Sequence, residues 1–126
     1  MSWTYRQNSG ALVNPTGSVI AFGYSGHAEG VNNAALQETR DIGPIPCGGW
    51  TLGAPADHPA LGPYAIPLAA DAMTDTFGRS GFFVHGDLKD AASHPHEASH
   101  GCVILPRLIR MAMWTSGDHR LQVVPG

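Results

Sequence analysis

Two residues that can serve as a nucleophile and its base lie close together in this sequence. His85 is followed by Gly86, and Cys102 ends the stretch Ser99-His100-Gly101-Cys102. A thiol with a pKa of about 8.5 is only slightly ionised at neutral pH, although the thiolate is the reactive form. An imidazole within hydrogen-bond reach removes the proton. The pattern therefore predicts a catalytic pair, with Cys102 as the nucleophile and His85 as the base.

The glycines beside this pair are expected to serve it through the backbone. Gly101 allows the chain to approach a substrate without an intervening side chain. The N–H groups around Gly101 and Cys102 are placed to face an oxyanion, whose stabilisation is a large catalytic term. Gly86 allows a tight exit from a strand, and its carbonyl is expected to hold the His85 ring in one tautomer.

The surrounding pattern predicts a mainly β fold: a compact sandwich or mixed sheet with long loops and one short C-terminal helix. The apolar run Gly81–Val84 indicates a buried strand that ends at His85. The other predicted strands are Trp3–Gln7, Ala11–Asn14, Ser18–Tyr24, Gly49–Gly53, Cys102–Leu105 and His119–Val124. The proline-rich stretch Ala54–Asp75 is expected to be irregular surface, and a short strand around Tyr64–Pro67 is an alternative within it. Arg107–Trp114 is predicted to be helical, with Leu108, Met111 and Ala112 on its apolar face.

Length and composition limit the number of domains, the fold class and the binding partners that this protein can have. The 126 residues suit a single domain spanning 1–126, and the 16 glycines and 10 prolines favour a turn-rich β fold. A net charge of −3 gives no electrostatic reason to expect binding to nucleic acid or an anionic membrane. The start, Met1-Ser2-Trp3-Thr4-Tyr5-Arg6, lacks the pattern of a signal peptide, which predicts synthesis in the cytoplasm.

The spacing of His-Gly and Ser-His-Gly-Cys resembles the active-site signature of L,D-transpeptidases with a YkuD-type catalytic domain. Further stretches are similar to the Tlde-type effectors, small toxins that type VI secretion delivers and that attack peptidoglycan. These stretches are Tyr24-Ser25-Gly26, Asn32-Asn33, Gly43-Pro44-Ile45-Pro46, and the run from Gly78 to Asp87. The resemblance extends from about Trp3 to Trp114. One departure is Ile104, where housekeeping L,D-transpeptidases usually have an arginine. The role of that arginine is then either absent or taken by Arg79 or Arg107.

The resemblance implies a YkuD-like fold, Cys102 as the nucleophile, His85 as the base, and no metal or cofactor. It implies peptidoglycan stem peptides as substrate, with a cognate immunity protein and a secretion component as partners. Action is then expected in the periplasm of target cells. His100, Ser99, Arg79 and Asp87 are the expected substrate-binding residues. A surface salt bridge for Arg79, or a turn-capping role for Asp87, is the alternative.

Two other functions remain open from the sequence. His85, Asp87 and His100, with His94 or His96, contain ligand types that suit zinc in a hydrolase, although their spacing matches no familiar zinc motif. A non-catalytic module that binds the cell wall is the other alternative. Cys47 and Cys102 permit a disulfide, but the catalytic interpretation predicts that Cys102 is free.

Overall fold

The computed structural model describes residues 1–126 and contains ten strands and one α-helix. The strands are β1 (Trp3–Arg6), β2 (Ala11–Val13), β3 (Val19–Phe22), β4 (Tyr24–Ser25), β5 (Gly48–Leu52), β6 (Ala56–His58), β7 (Gly62–Ala70), β8 (Phe83–His85), β9 (Val103–Ile104) and β10 (Arg120–Val124). Helix α1 spans Arg107–Thr115, and short 3₁₀ turns occupy Ala28–Gly30 and Ala34–Leu36. The prediction of a mainly β fold with a mixed sheet and one short helix is confirmed. No helix has the length and hydrophobicity needed to cross a bilayer.

The strands form one mixed sheet in the order β3-β2-β1-β10-β5-β7-β8-β9-β4, and β6 pairs with β7 outside this path. β1 runs parallel to β10, and β8 runs parallel to β9. The remaining pairs are antiparallel. The parallel pair of β8 and β9 matters for function because His85 ends one strand and Cys102 immediately precedes the other.

The sheet curls back on itself at Gly23. β3 and β4 are at opposite ends of the strand order, yet only Gly23 separates them in the chain. A Cβ atom at Gly23 would lie 2.0 Å from the carbonyl oxygen of Ile104, so only glycine fits between β3 and β4. The backbone at this closure therefore lies directly against the strand that follows Cys102.

A cluster of buried apolar side chains fills the inside of the curled sheet. Its members come from strands throughout the chain, and they include Trp3, Tyr5, Leu12, Ile45, Trp50, Ile66, Phe82, Val84, Val103, Met113 and Leu121. The rings of Trp50 and Phe82 meet edge to face, with centroids 5.1 Å apart. Val84 and Val103 anchor β8 and β9 in this cluster, which fixes the strand ends that carry the candidate residues.

The prediction that Ala54–Asp75 is mostly irregular is wrong, because this stretch contains β6 and the nine-residue strand β7. The short strand considered at Tyr64–Pro67 is the central part of β7. Prolines lower the expectation of a strand since they donate no ladder hydrogen bond. Pro67 nevertheless pairs with Phe83, and its carbonyl accepts a hydrogen bond from the Gly53 N–H at 2.8 Å. Burial of Ile66 beside it outweighs the missing donor.

The predicted apolar face of α1 is also wrong. Leu108 is 78% exposed, whereas Met113 and Arg110 are buried. Arg110 can replace an apolar residue because its guanidinium donates to the carbonyls of Leu105, Tyr64 and Pro63. Its methylene stem packs while its charged end stays hydrogen-bonded.

Candidate active site

The structure places His85 at the C-terminal end of β8 and Cys102 just before the N-terminal end of the adjacent, parallel β9. Val84 of β8 pairs with Val103 of β9, and both side chains are buried in the core. Because side chains alternate along a strand, His85 and Cys102 leave the sheet on the other face. The Leu105 N–H donates to the His85 carbonyl at 3.1 Å, which extends this ladder past the histidine. Rigid strand ends therefore set the relative positions of the two residues.

The His85 ring is 3% exposed and is oriented by the next residue. Its Nδ1 lies 2.9 Å from the Gly86 carbonyl oxygen. A carbonyl only accepts, so this contact assigns the proton to Nδ1 and leaves Nε2 able to accept one. Burial lowers the pKa of His85, and the positive charge of Arg110 acts in the same direction, while the Gly86 contact opposes them. The ring is therefore neutral at neutral pH, as a general base requires.

The Cys102 thiol is free and half-buried, and Cys47 is free as well. The Cys102 sulfur lies 3.6 Å from the Gly81 carbonyl oxygen, and it makes no hydrogen bond with His85 in this structure. Burial raises the pKa of Cys102, while the Phe83 N–H and the positive charge of Arg79 lower it. Catalytic hydrogen bonds often become short only when substrate is bound, so the thiol–imidazole contact is expected to form in the substrate complex.

Ser99 organises the turn that leads into Cys102. Its side chain is fully buried, and its Oγ donates to the Cys102 carbonyl at 2.6 Å. The same oxygen accepts from the N–H groups of Gly26 and Gly101, at 3.0 and 3.1 Å. These contacts fix the turn, and they leave Ser99 no exposed surface for the substrate contact expected from the sequence.

Gly101 is required by the backbone of this turn. Its φ is +135°, and a Cβ atom there would lie 2.6 Å from the Arg79 Nη2. The Gly101 N–H is already bonded to Ser99. No hydrogen bond of the turn uses the Cys102 N–H, so this group is the better candidate for an oxyanion donor.

A polar cavity of about 310 Å³ opens beside Cys102. Its lining consists of Arg40, Asp41, residues 78–82 and residues 100–102. The His100 side chain is exposed there, with Nδ1 3.2 Å from the Asp41 carbonyl oxygen and its ring stacked on His27. His100 is thus accessible from the cavity that contains the thiol, as a substrate contact would require.

A second cavity, of about 500 Å³, contains His85. Gly86, Asp87, Pro63, Arg107 and Arg110 contribute to its wall. Cys102 thus lines one cavity and His85 lines the other.

Comparison with known families gives one match. The family model described as the Tlde1 domain matches residues 20–125, which is most of the chain. The chain belongs to this Tlde1 domain family. No curated protein and no solved structure gave a significant match. Membership supports the assignment of the chain as a Tlde-type effector of type VI secretion, an antibacterial class with a cognate immunity protein and secretion machinery.

Two of the residues expected to bind substrate, Asp87 and Arg79, make contacts within this Tlde1 domain. Asp87 is exposed, and its carboxylate accepts from the Tyr24 hydroxyl at 2.8 Å and from the Leu88 N–H at 2.9 Å. It therefore caps the turn after β8. Arg79 is buried with no acidic group within ion-pair distance, so the alternative of a surface salt bridge is wrong.

The zinc alternative has no assembled ligand set in the Tlde1 domain. No three histidine, cysteine, aspartate or glutamate side chains are grouped to hold a metal ion. Nδ1 of His85 is engaged with the Gly86 carbonyl, and His100 contacts the Asp41 carbonyl. His94 pairs with Asp90 and Glu97 on the surface.

Arg40 lines the thiol cavity but was not identified from the sequence. Its side chain is exposed, and one Nη donates to the Gly78 carbonyl at 3.3 Å. A single arginine in a polar loop carries no recognisable motif, and only the fold brings it opposite Cys102. By contrast, Arg107 lies on the His85 side, with its guanidinium 6.0 Å from the centre of the Tyr64 ring.

Proposed function

We propose that this effector is a cysteine L,D-acyl-transfer enzyme that acts on tetrapeptide stems of peptidoglycan. The observation that carries the proposal is the placement of a free Cys102 and a tautomer-fixed His85 on the same face of the paired parallel strands β8 and β9. The Ser-His-Gly-Cys turn and the Tlde1 family match support the same chemistry. The active protein would work in the periplasm of the target cell.

The reaction begins with proton transfer from the Cys102 thiol to Nε2 of His85. The thiolate attacks the carbonyl carbon of the third stem residue, an L-centre, and the Cys102 N–H donates to the resulting oxyanion. The carbon–nitrogen bond to the terminal D-alanine then breaks, and the His85 imidazolium gives its proton to the leaving amine. The product is a thioester between Cys102 and the shortened stem.

The acceptor that resolves the thioester decides the outcome. Water yields a tripeptide stem, which is L,D-carboxypeptidase activity. A free D-amino acid yields an exchanged stem, and an amine of another stem yields a crosslink. In each case His85 accepts the proton of the attacking group and Cys102 leaves as the thiol. Removal of terminal D-alanine would deprive a target cell of crosslinking substrate.

Arg40 is the residue of the thiol cavity that we assign to the free carboxylate of the terminal D-alanine. Its exposed guanidinium carries N–H groups beyond the one bonded to Gly78. Arginine binds carboxylates through paired hydrogen bonds. The Arg40 side chain would thus bind the carboxylate in place of the arginine that housekeeping L,D-transpeptidases have at the position of Ile104.

Replacing Cys102 with Ser should abolish turnover, since a serine hydroxyl is far less ionised than a thiol at neutral pH. The assay is mass spectrometry of purified tetrapeptide muropeptides incubated with the protein, with and without a free D-amino acid. Loss or exchange of D-alanine in the wild type is expected.

Cys47→Ser is the matched control, because it removes the other free thiol and should retain turnover. Wild-type turnover in Cys102→Ser would exclude the thioester mechanism. A folded, reduced wild type that binds sacculi without changing any muropeptide would instead indicate a wall-binding module.

A further inference from the structure

Arg79 is the most thoroughly engaged charged side chain near Cys102. It is 6% exposed, and its guanidinium donates only to backbone carbonyls. Nη1 donates to Gln37 and, at 2.9 Å, to Pro44; Nη2 donates to Gly43 at 2.8 Å and to His100 at 3.4 Å. Two segments that are distant in sequence are thereby joined: the loop that ends at Pro44 and the turn that contains Cys102.

Only an arginine fits this set of contacts. A guanidinium presents five N–H donors in a planar fork, whereas a lysine ammonium presents three on a compact centre. The Phe82 ring lies against the guanidinium, with 5.2 Å between Cζ and the ring centre. The four acceptors are neutral carbonyls. Burial lowers the pKa of Arg79 and the charge of the nearby Asp41 opposes this, but Asp41 forms no direct ion pair with the guanidinium.

This positive charge lies beside the candidate nucleophile. Arg79 and Cys102 line the same cavity, and the missing side chain of Gly101 makes room for Nη2. The charge lowers the pKa of Cys102 against the effect of burial. Charge interactions of partly buried groups are stronger than those in water, so the position of Arg79 matters more than that of an exposed arginine.

Arg110 provides an internal comparison. It is also buried, at 3% exposure, and it donates to three backbone carbonyls. It lies on the His85 side, where its charge lowers the pKa of the histidine. The two arginines thus make the same kind of structural contact but lie beside different members of the pair.

We propose that Arg79 is a positioning residue for Cys102: it clamps the Ser99–Cys102 turn against the Gly43–Pro44 segment and holds a buried positive charge beside the thiol. This inference rests on the proposed role of Cys102 as a nucleophile. It assigns Arg79 an effect on the thiol itself in place of the substrate contact expected from the sequence, because four of its five donors are already used.

The test measures the rate of Cys102 alkylation by iodoacetamide as a function of pH, in a Cys47→Ser background that leaves one thiol. Arg79→Gln should raise the pKa of Cys102, and each unit of increase lowers the thiolate fraction at neutral pH about tenfold. Arg79→Lys should keep the wild-type alkylation profile, because the charge remains, while its thermal unfolding midpoint falls.

Arg110→Gln and Arg110→Lys are the matched controls. They should lower the unfolding midpoint similarly, but neither should raise the pKa of Cys102. The proposal would be overturned if Arg110→Gln raised the pKa of Cys102 as much as Arg79→Gln does. It would also be overturned if a folded Arg79→Gln left the pKa of Cys102 unchanged.

Arg79→Met replaces Arg79→Gln if the latter does not fold, because it also removes the charge: a rise in the pKa of Cys102 supports the proposal, and a wild-type alkylation profile overturns it. Alkylation requires no peptidoglycan, so this test does not depend on the proposed enzymatic activity. If that activity is absent, muropeptides stay unchanged while Arg79 still affects the pKa of Cys102.

Discussion

Burial favours the uncharged forms of both side chains in the proposed reaction. It lowers the pKa of His85 and raises the pKa of Cys102. The resting pair is therefore a neutral thiol and a neutral imidazole whose Nδ1–H is held by Gly86. Proton transfer belongs to the reaction itself, and Arg79 supplies the charge that partly offsets the cost of forming a buried thiolate.

The lowered pKa of His85 predicts the acid side of the pH–rate profile. The base must be neutral, so kcat/KM should fall only as pH drops through the folded-state pKa of His85, which lies below the ordinary value of 6.5. His85→Asn should remove this acid limb and reduce kcat/KM by at least ~10²-fold, the usual scale for a positioned base. The measurement is the rate of D-alanine release across pH.

The exposed His94 is the control for that experiment. Its ring pairs with Asp90 and Glu97 on the surface, away from the thiol cavity. His94→Ala should leave the profile unchanged. If the acid limb of the pH–rate profile persists in His85→Asn, the base is another group. The same conclusion follows if His85→Asn lowers kcat/KM no more than His94→Ala does.

The carboxylate contact proposed for Arg40 predicts a defect in binding. Arg40→Ala should raise KM about 3- to 10-fold with little change in kcat, because an exposed ion pair contributes roughly 1 kcal/mol. Steady-state kinetics on a tetrapeptide and on its C-terminal amide test the assignment. The amide should bind the wild type and Arg40→Ala equally weakly. If the losses in affinity caused by the amide and by Arg40→Ala add instead, Arg40 acts elsewhere.

Site residues whose partners are close in sequence could be predicted, whereas those whose partners are distant along the chain could not. His85, Gly86 and the Ser99–Cys102 turn form a local pattern whose chemistry follows from residue type and spacing. Arg79 bonds to Pro44, 35 positions away, so its burial could not be deduced without the fold. Arg40 is opposite Cys102 for the same reason.

At the scale of elements, β8 and β9 are short strands whose rigidity comes from their neighbours. β8 has three residues and β9 has two, but β7 pairs with β8, and β4 pairs with β9. Local apolar runs were sufficient to predict both strands. They were not sufficient for β7, because the prolines within it hid the strand, and its pairing depends on partners distant in sequence.

Ile66 of β7 should therefore be important for stability. It is fully buried and pairs with Val84, the residue before His85. Ile66→Ala should lower the free energy of unfolding by about 2–5 kcal/mol, through lost burial and the cavity that remains. Phe22→Ala, at a 70% exposed position on β3, should change it by less than ~0.5 kcal/mol. Denaturant titration gives both values, and equal losses would contradict this picture of the core.

At the scale of the whole molecule, the curled sheet places Cys102 next to its closure. β4 follows the closing residue Gly23 and pairs directly with β9, which begins after Cys102. The Ser25 hydroxyl donates to the Gly101 carbonyl at 3.0 Å and accepts from the Ile45 N–H at 2.8 Å. The N-terminal strands thus also stabilise the turn that contains the candidate nucleophile.

The parallel pairing of β1 with β10 has a consequence for biosynthesis. β1 leaves the ribosome first, yet one of its edges stays unpaired until Arg120–Val124 has also emerged. Contacts between segments so far apart form late and slow the folding of β proteins. A nascent chain can therefore carry both His85 and Cys102 while its sheet is still incomplete, and we expect the assembled site only after translation has passed residue 124.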